Sequence, residues 1–169
     1  RIEETIDPEQ AIDRALETYL KKGYSEEWVH QRLLAIRIRN ELTDEWKKRG
    51  VQKGKEYAIL TDEITRAWAG MNTRQYKNLE GLKKENLRDN MSDLELVLTM
   101  LAESSTTDIA KAEQPQGFDE NQKVARRGGN VAGVARKALE AESFRQLVTD
   151  IVTDAAQLPE QTEENANGK

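Results

Sequence analysis

From Ser92 to Ala102 the chain reads S D L E L V L T M L A. Ser92 with Glu95 three residues later is a capping box, in which each side chain satisfies a backbone amide that the first helical turn leaves open. Behind it, Leu94, Val97, Leu98, Leu101 and Ala102 recur at spacings of three and four, the strongest apolar periodicity in the sequence. The spacing predicts a core helix. It also sets the expectation for the whole chain, because no alternating strand pattern of useful length accompanies it.

Upstream, Asp7 and Pro8 form a helix start, and Ile12, Ala15, Leu16 and Tyr19 make one apolar stripe that runs to about Lys22, where Gly23 supplies a left-handed stop. Ser25 caps a second, long helix with Glu26 and Glu27 at its positive end and Lys47, Lys48 and Arg49 at its negative end. Val29, Leu33, Ile36 and Trp46 are its expected buried stripe, with Arg32, Arg37, Arg39 and Lys47 largely outside. After the turn from Gly50 to Gly54, Tyr57, Leu60, Ile64 and Trp68 define a third helix over Glu56 to Ala69. A short fourth begins at Asn72 or Thr73 and ends at Leu79, before Gly81.

Pro115 and Gly117 interrupt the chain before a final helix that opens at Asp119 and reaches about Glu142, with a possible continuation to Ala156. Gly128 and Gly129 inside it cost about 2 kcal/mol relative to alanine, which predicts either a break or a close helix contact. The expected fold is therefore all-α, a bundle-like domain of five to six helices over residues 1–156. A disordered acidic tail over 157–169 is expected to follow it.

Composition narrows the function classes. Hydrophobic residues make up 37% of the 169, charged residues 34% and aromatics only 5%, so the core must be built mainly from aliphatic side chains under long solvated faces. Without Cys there is neither a disulfide framework nor a thiolate metal site, and no apolar run of about 18 residues spans a bilayer. A cytoplasmic protein is expected. Because the chain starts at Arg1 with no charged and apolar leader, it reads as a fragment of a longer one.

The net charge of −5 is unevenly distributed. Residues 1–31 carry 4 basic and 8 acidic side chains, residues 32–88 carry 14 and 8, and residues 89–169 carry 8 and 15. The middle third is the surface an anion can approach. Within it, Tyr76 to Met91 reads Y K N L E G L K K E N L R D N M, a basic run about a Gly turn. Lys83, Lys84 and Arg88 on a helix after Gly81, with Arg74 and Lys77 on the helix before it, would form a bipartite patch for a DNA phosphate backbone. Lys47, Lys48 and Arg49 either extend that patch, together with Lys53 and Lys55, or only complement the end of the second helix. The competing reading is a solvated face balanced by Glu80, Glu85 and Asp89.

Little points to catalysis. His30 is the only histidine and no nucleophile motif accompanies it. Asp62 with Glu63, and Asp119 with Glu120, are adjacent and so diverge on a helix. No phosphate-binding loop, dinucleotide fingerprint or zinc spacing is present, so no cofactor or metal is implied. Trp28, Trp46 and Trp68 fit apolar stripes better than base-stacking platforms. Arg126, Arg127, Arg136 and Lys137 surround the glycine pair and Gly133, where helix packing is favoured over phosphate approach.

Five segments carry a family resemblance: I R N E L at Ile38 to Leu42, A W A G M at Ala67 to Met71, G L K K at Gly81 to Lys84, L R D N M at Leu87 to Met91, and K V A R R G G N V A at Lys123 to Ala132. With them the chain resembles the C-terminal region of DNA-damage-inducible protein D and of phage antirepressor-type proteins that carry a Bro domain at their N-terminus. The resemblance implies the helical region that follows the DNA-binding Bro domain in regulators of prophages or of the DNA-damage response. The Bro domain itself is absent from these residues. The expected function is thus a non-enzymatic assembly module, homo-oligomeric, with a basic central surface for DNA. The alternative is a module that binds only protein, such as a repressor or its own copies, and a nuclease built on scattered carboxylates is a third, weaker reading.

Overall fold

In the computed structural model, residues 8–143 are described, and six α-helices with one 3-10 turn carry them. The helices are α1 (Pro8–Lys21), α2 (Glu26–Lys48), α3 (Lys55–Ala69), α4 (Thr73–Leu79), α5 (Asp93–Glu113) and α6 (Gly117–Ser143), with the 3-10 turn at Arg88–Asn90. No strand occurs among the described residues. The expected tail over 157–169, and any continuation of the last helix to Ala156, lie outside them.

Local chemistry places most boundaries where the sequence predicts them. The Ser25 hydroxyl accepts from the Trp28 amide, Asn72 and Gln75 form a capping box, and so do Ser92 and Glu95. Gly70, at φ 79°, ends α3 in the left-handed conformation. α5 ends on Gln114 at φ 53°, a left-handed residue with no glycine to announce it.

α2, α3, α5 and α6 run up, down, up and down. Trp28 reaches Met91 and Arg39 reaches Glu103, so α2 and α5 are parallel. Arg126 reaches Glu63 and Arg136 reaches the Trp68 carbonyl, so α6 runs parallel to α3. The closest packing is of α6 against both α5 and α3, and of α5 against α2. α2 and α3 meet instead through long side chains: Arg39 on Thr61, and Tyr57 on Trp46 and on the Thr43 carbonyl.

The glycines of α6 explain the tight sides. The helix passes through them unbroken, and Gly128, Gly129 and Ala132 are buried. A Cβ on Gly128 would lie 1.9 Å from Thr106 Oγ1 and 2.7 Å from Thr106 Cα, on α5. One on Gly129 would lie 2.6 Å from Ala67 Cβ, and one on Gly133 2.6 Å from the Ala67 carbonyl oxygen, both on α3. Adjacent glycines point about 100° apart on a helix, so the pair lets α6 approach two neighbours at once.

Several expected stripes are corrected. Val97 and Leu101 are 40% and 37% exposed, while Leu96, Leu98, Thr99 and Met100 are buried. α5 touches α2, α6 and α3, so it is covered on most of its circumference and only a strip through Val97 and Leu101 faces out. Ile12 is 49% exposed because α1 packs on α2 alone among the helices in close contact. Arg32, expected outside, is buried, with its Nε 2.9 Å from Asp89. Arg39 is likewise drawn inward, onto Glu103 at 2.9 Å.

Candidate functional site

The basic run from Tyr76 to Met91 does not form the expected pair of helices. α4 ends at Leu79, and residues 80–87 are an irregular loop before the 3-10 turn. Side chains capture the backbone that a helix would need. The Lys83 amide donates to the Glu85 carboxylate at 2.7 Å, and the Arg88 and Asp89 amides both donate to Asn86 Oδ1. Backbone hydrogen bonds, from Glu85's own amide and then from Lys83, hold the Glu85 carboxyl below its ordinary range.

The loop folds back on the bundle by its apolar and charged residues alike. Leu87 and Met91 are buried in the core, and the Met91 carbonyl accepts from Trp28 Nε1 at 2.8 Å. Asp89 accepts from Arg32 and from the Tyr19 hydroxyl, both at 2.9 Å. Arg88 reaches inward with both terminal nitrogens on Glu103, at 2.7 and 3.1 Å. Arg88 is thereby removed from the solvent face on which sequence reasoning set it beside Lys83 and Lys84, because a buried carboxylate attracts it more strongly than solvent does.

Glu103, 1% exposed, is shared by two guanidiniums, since Arg39 Nη1 also donates to it and Arg39 Nη2 continues to Thr61 Oγ1 at 2.6 Å. Burial alone would raise the Glu103 carboxyl, but the charges and hydrogen bonds of Arg88 and then Arg39 outweigh it and hold the group below its ordinary value. Burial pushes Arg39 down. It acts on Arg88 in the same sense, where the closer Glu103 charge reverses the outcome and raises it. Two cations facing one anion leave this buried cluster with a net positive charge.

The other candidate contacts are scattered. Arg74 on α4, and Lys83 and Lys84 on the loop, are exposed, and none makes an ion pair among the described residues. Lys77 is half-buried. Lys47 and Lys48 are exposed at the far end of α2, and Arg49 folds onto Glu45 at 2.8 Å. That end lies roughly 20 Å along α2 from Arg32 and its Asp89 partner, at 1.5 Å per residue, so the two basic groups do not merge into one patch. Arg126 and Arg127 pair with Glu63 and Glu113 across helices, and Arg136 donates to the Trp68 carbonyl at 2.7 Å, which are packing roles.

Between α3, α4, the loop and α5 lies a cavity of about 190 Å³. Thr61, Thr65, Thr73, Lys77, Asn86, Arg88 and Thr99 supply its polar wall, and Trp68, Leu87 and Met91 its apolar floor. Sequence reasoning found Lys77 and Arg88 but missed the threonines. Thr61 and Thr65, one turn apart on the apolar side of α3, were the available signal.

The tryptophans are buried, Trp28 against Tyr24 at a centroid distance of 4.2 Å, so none offers a free face to a base. His30 is exposed, 3.6 Å from Glu26. Among the described residues there is no cluster of three metal-ligating side chains, and no helix is long and apolar enough to cross a membrane. No protein-family model matches the chain, and no curated protein matches it.

Four of the five quoted segments meet in pairs, at two separate places. Arg39 of I R N E L and Arg88 of L R D N M meet on Glu103. Ala67 of A W A G M receives Gly129 of the R R G G run.

Proposed function

We propose that these helices form a non-enzymatic assembly module of a DNA-associated regulator of the prophage-antirepressor or DNA-damage-response type, and that Arg74, Lys83 and Lys84 touch the phosphate backbone. The observation that carries the reading is the exposure of these three cations on α4 and its following loop, with no ion pair among the described residues. Cations not engaged by carboxylates release counterions when they meet a phosphate chain, which gives sequence-independent, salt-sensitive affinity. Arg88 leaves this contact set, since its guanidinium turns inward from the loop surface, with one N–H of each terminal nitrogen on Glu103.

The second reading, a module that binds only protein, is favoured by a different observation. Leu34, Val97, Leu101, Val131 and Val134 are large apolar side chains left exposed, Val134 at 69%. Titration with duplex and single-stranded DNA over a salt series separates the two. Binding that weakens linearly in log salt, and is lost in an Arg74→Gln, Lys83→Gln, Lys84→Gln variant, supports backbone contact. Absence of binding at low salt, with a dimer or larger species by light scattering, supports protein assembly alone.

A further inference from the structure

The cavity beside Arg88 has a composition that solvent-filled gaps in an acidic chain do not require. None of its lining residues is acidic, although Asp and Glu together number 31 in the sequence. Lys77 and Arg88 bring positive charge to it, and Arg39 adds more from behind Thr61. Among the described residues only Glu103 pairs with the two guanidiniums.

The donors are also uncommitted. Asn86 spends its Oδ1 on two backbone amides, so its amide N–H groups remain. Arg88 gives one N–H from each terminal nitrogen to Glu103 and keeps the rest of its fork. Among the described residues the Thr73 hydroxyl makes no hydrogen bond, its amide being the group that donates to Asp62, and the Lys77 ammonium makes neither a hydrogen bond nor an ion pair, its charge acting on the Glu85 carboxylate only at longer range. Thr61, Thr65 and Thr99, by contrast, donate their protons to carbonyls of their own helices. The free donors are therefore Lys77, Thr73, Asn86 and Arg88, around one opening.

We propose that this cavity is a binding site for a phosphate-class oxyanion, held by Lys77, Thr73, Asn86 and Arg88. Charge-assisted hydrogen bonds to such an anion satisfy these donors and offset the surplus positive charge of the Arg39, Glu103 and Arg88 cluster. The volume fits the phosphoryl group better than a large carrier, since sites for drug-sized ligands run to about 300–1,000 Å³. The site is independent of the DNA contact above, because neither Lys83 nor Lys84 lines it.

The test uses the full chain and inorganic phosphate, titrated at fixed pH and ionic strength against chloride, and read by calorimetry and by the thermal midpoint. A saturable heat and a rising midpoint are expected. Lys77→Gln raises the apparent Kd about tenfold or more, as expected for a lost charged hydrogen bond. Thr73→Val weakens binding in the same direction, and Lys83→Gln does not. Both cavity variants are compared at their own phosphate-free midpoints, which separates loss of the ligand from loss of the fold. No saturable response, or the same affinity in both cavity variants as in the parent, overturns the site. Displacement of bound phosphate by duplex DNA identifies a nucleic-acid phosphate as the source, and its persistence identifies a free small phosphate.

Discussion

Arg88 and Glu103, fifteen residues apart in sequence, form a two-pronged ion pair at 2.7 and 3.1 Å inside the bundle. The pair brings Arg88 of the basic loop onto the carboxylate that Arg39 of α2 also holds, and Arg39 continues to Thr61 of α3. It turns the most conspicuous charge run in the sequence into a structural wedge.

Arg88→Ala leaves Glu103 buried with Arg39 as its one remaining partner. Arg39 still compensates the Glu103 charge, so the cost is that of the lost charged hydrogen bonds, about 1.5–3 kcal/mol. Urea unfolding is expected to show a loss of that size, whereas Lys83→Gln and Lys84→Gln should stay within about 0.5 kcal/mol of the parent, as exposed surface changes do. Equal effects at the three positions would contradict the wedge.

Gly128→Ala and Gly129→Ala should invert the usual helix ranking. Alanine in an open helix stabilises by about 1 kcal/mol over glycine. Here the new methyl meets Thr106 or Ala67 at less than any tolerated distance. A loss of roughly 1–3 kcal/mol is expected from overpacking. Thr106→Ala should not rescue Gly128→Ala, because the Thr106 Cα and amide nitrogen themselves lie at 2.7 Å.

Stability should fall away on both sides of neutrality for assignable reasons. The Glu103 carboxyl is lowered in the folded chain, so its contribution is fully present above the ordinary value of 4.5 and is lost as pH falls through the depressed one. The Tyr76 hydroxyl, which donates to Glu95, is raised, first by burial and then by the Glu95 charge. Its contribution is present below the ordinary 10.0 and lost as pH rises beyond it. In denaturation midpoints measured across pH, Glu103→Gln should flatten the acid limb and Tyr76→Phe the alkaline one.

Ser92→Ala removes the acceptor of the Glu95 amide and half of the capping box that starts α5. The expected cost is about 1 kcal/mol, and only a few tenths for Ser92→Gly. Guanidinium midpoints of the two variants give the comparison, and an alanine variant as stable as the parent would remove the cap from the account of this boundary.

The sequence alone marked all six helices that form and most of their ends, and one more, after Gly81, that does not form. Ser25, Asn72, Ser92 and Gly70 act on amides and carbonyls within one turn of themselves, so their effect is legible wherever the residue is read. It did not determine which polar side chains lie inside. Periodicity assigns every arginine of α2 to solvent, yet Arg32 and Arg39 turn inward because Asp89 and Glu103 wait for them 57 and 64 residues later. Nor did it show that the loop after Gly81 refuses a helix, which depends on Glu85 and Asn86 holding its amides. The glycine pair carried a choice between a break and a contact, and only Thr106 and Ala67, on two other helices, decided it. The cavity is the furthest from sequence of all, since Thr73 and Lys77 of α4, Asn86 of the loop and Arg88 of the 3-10 turn line one opening only because the loop folds back on the bundle.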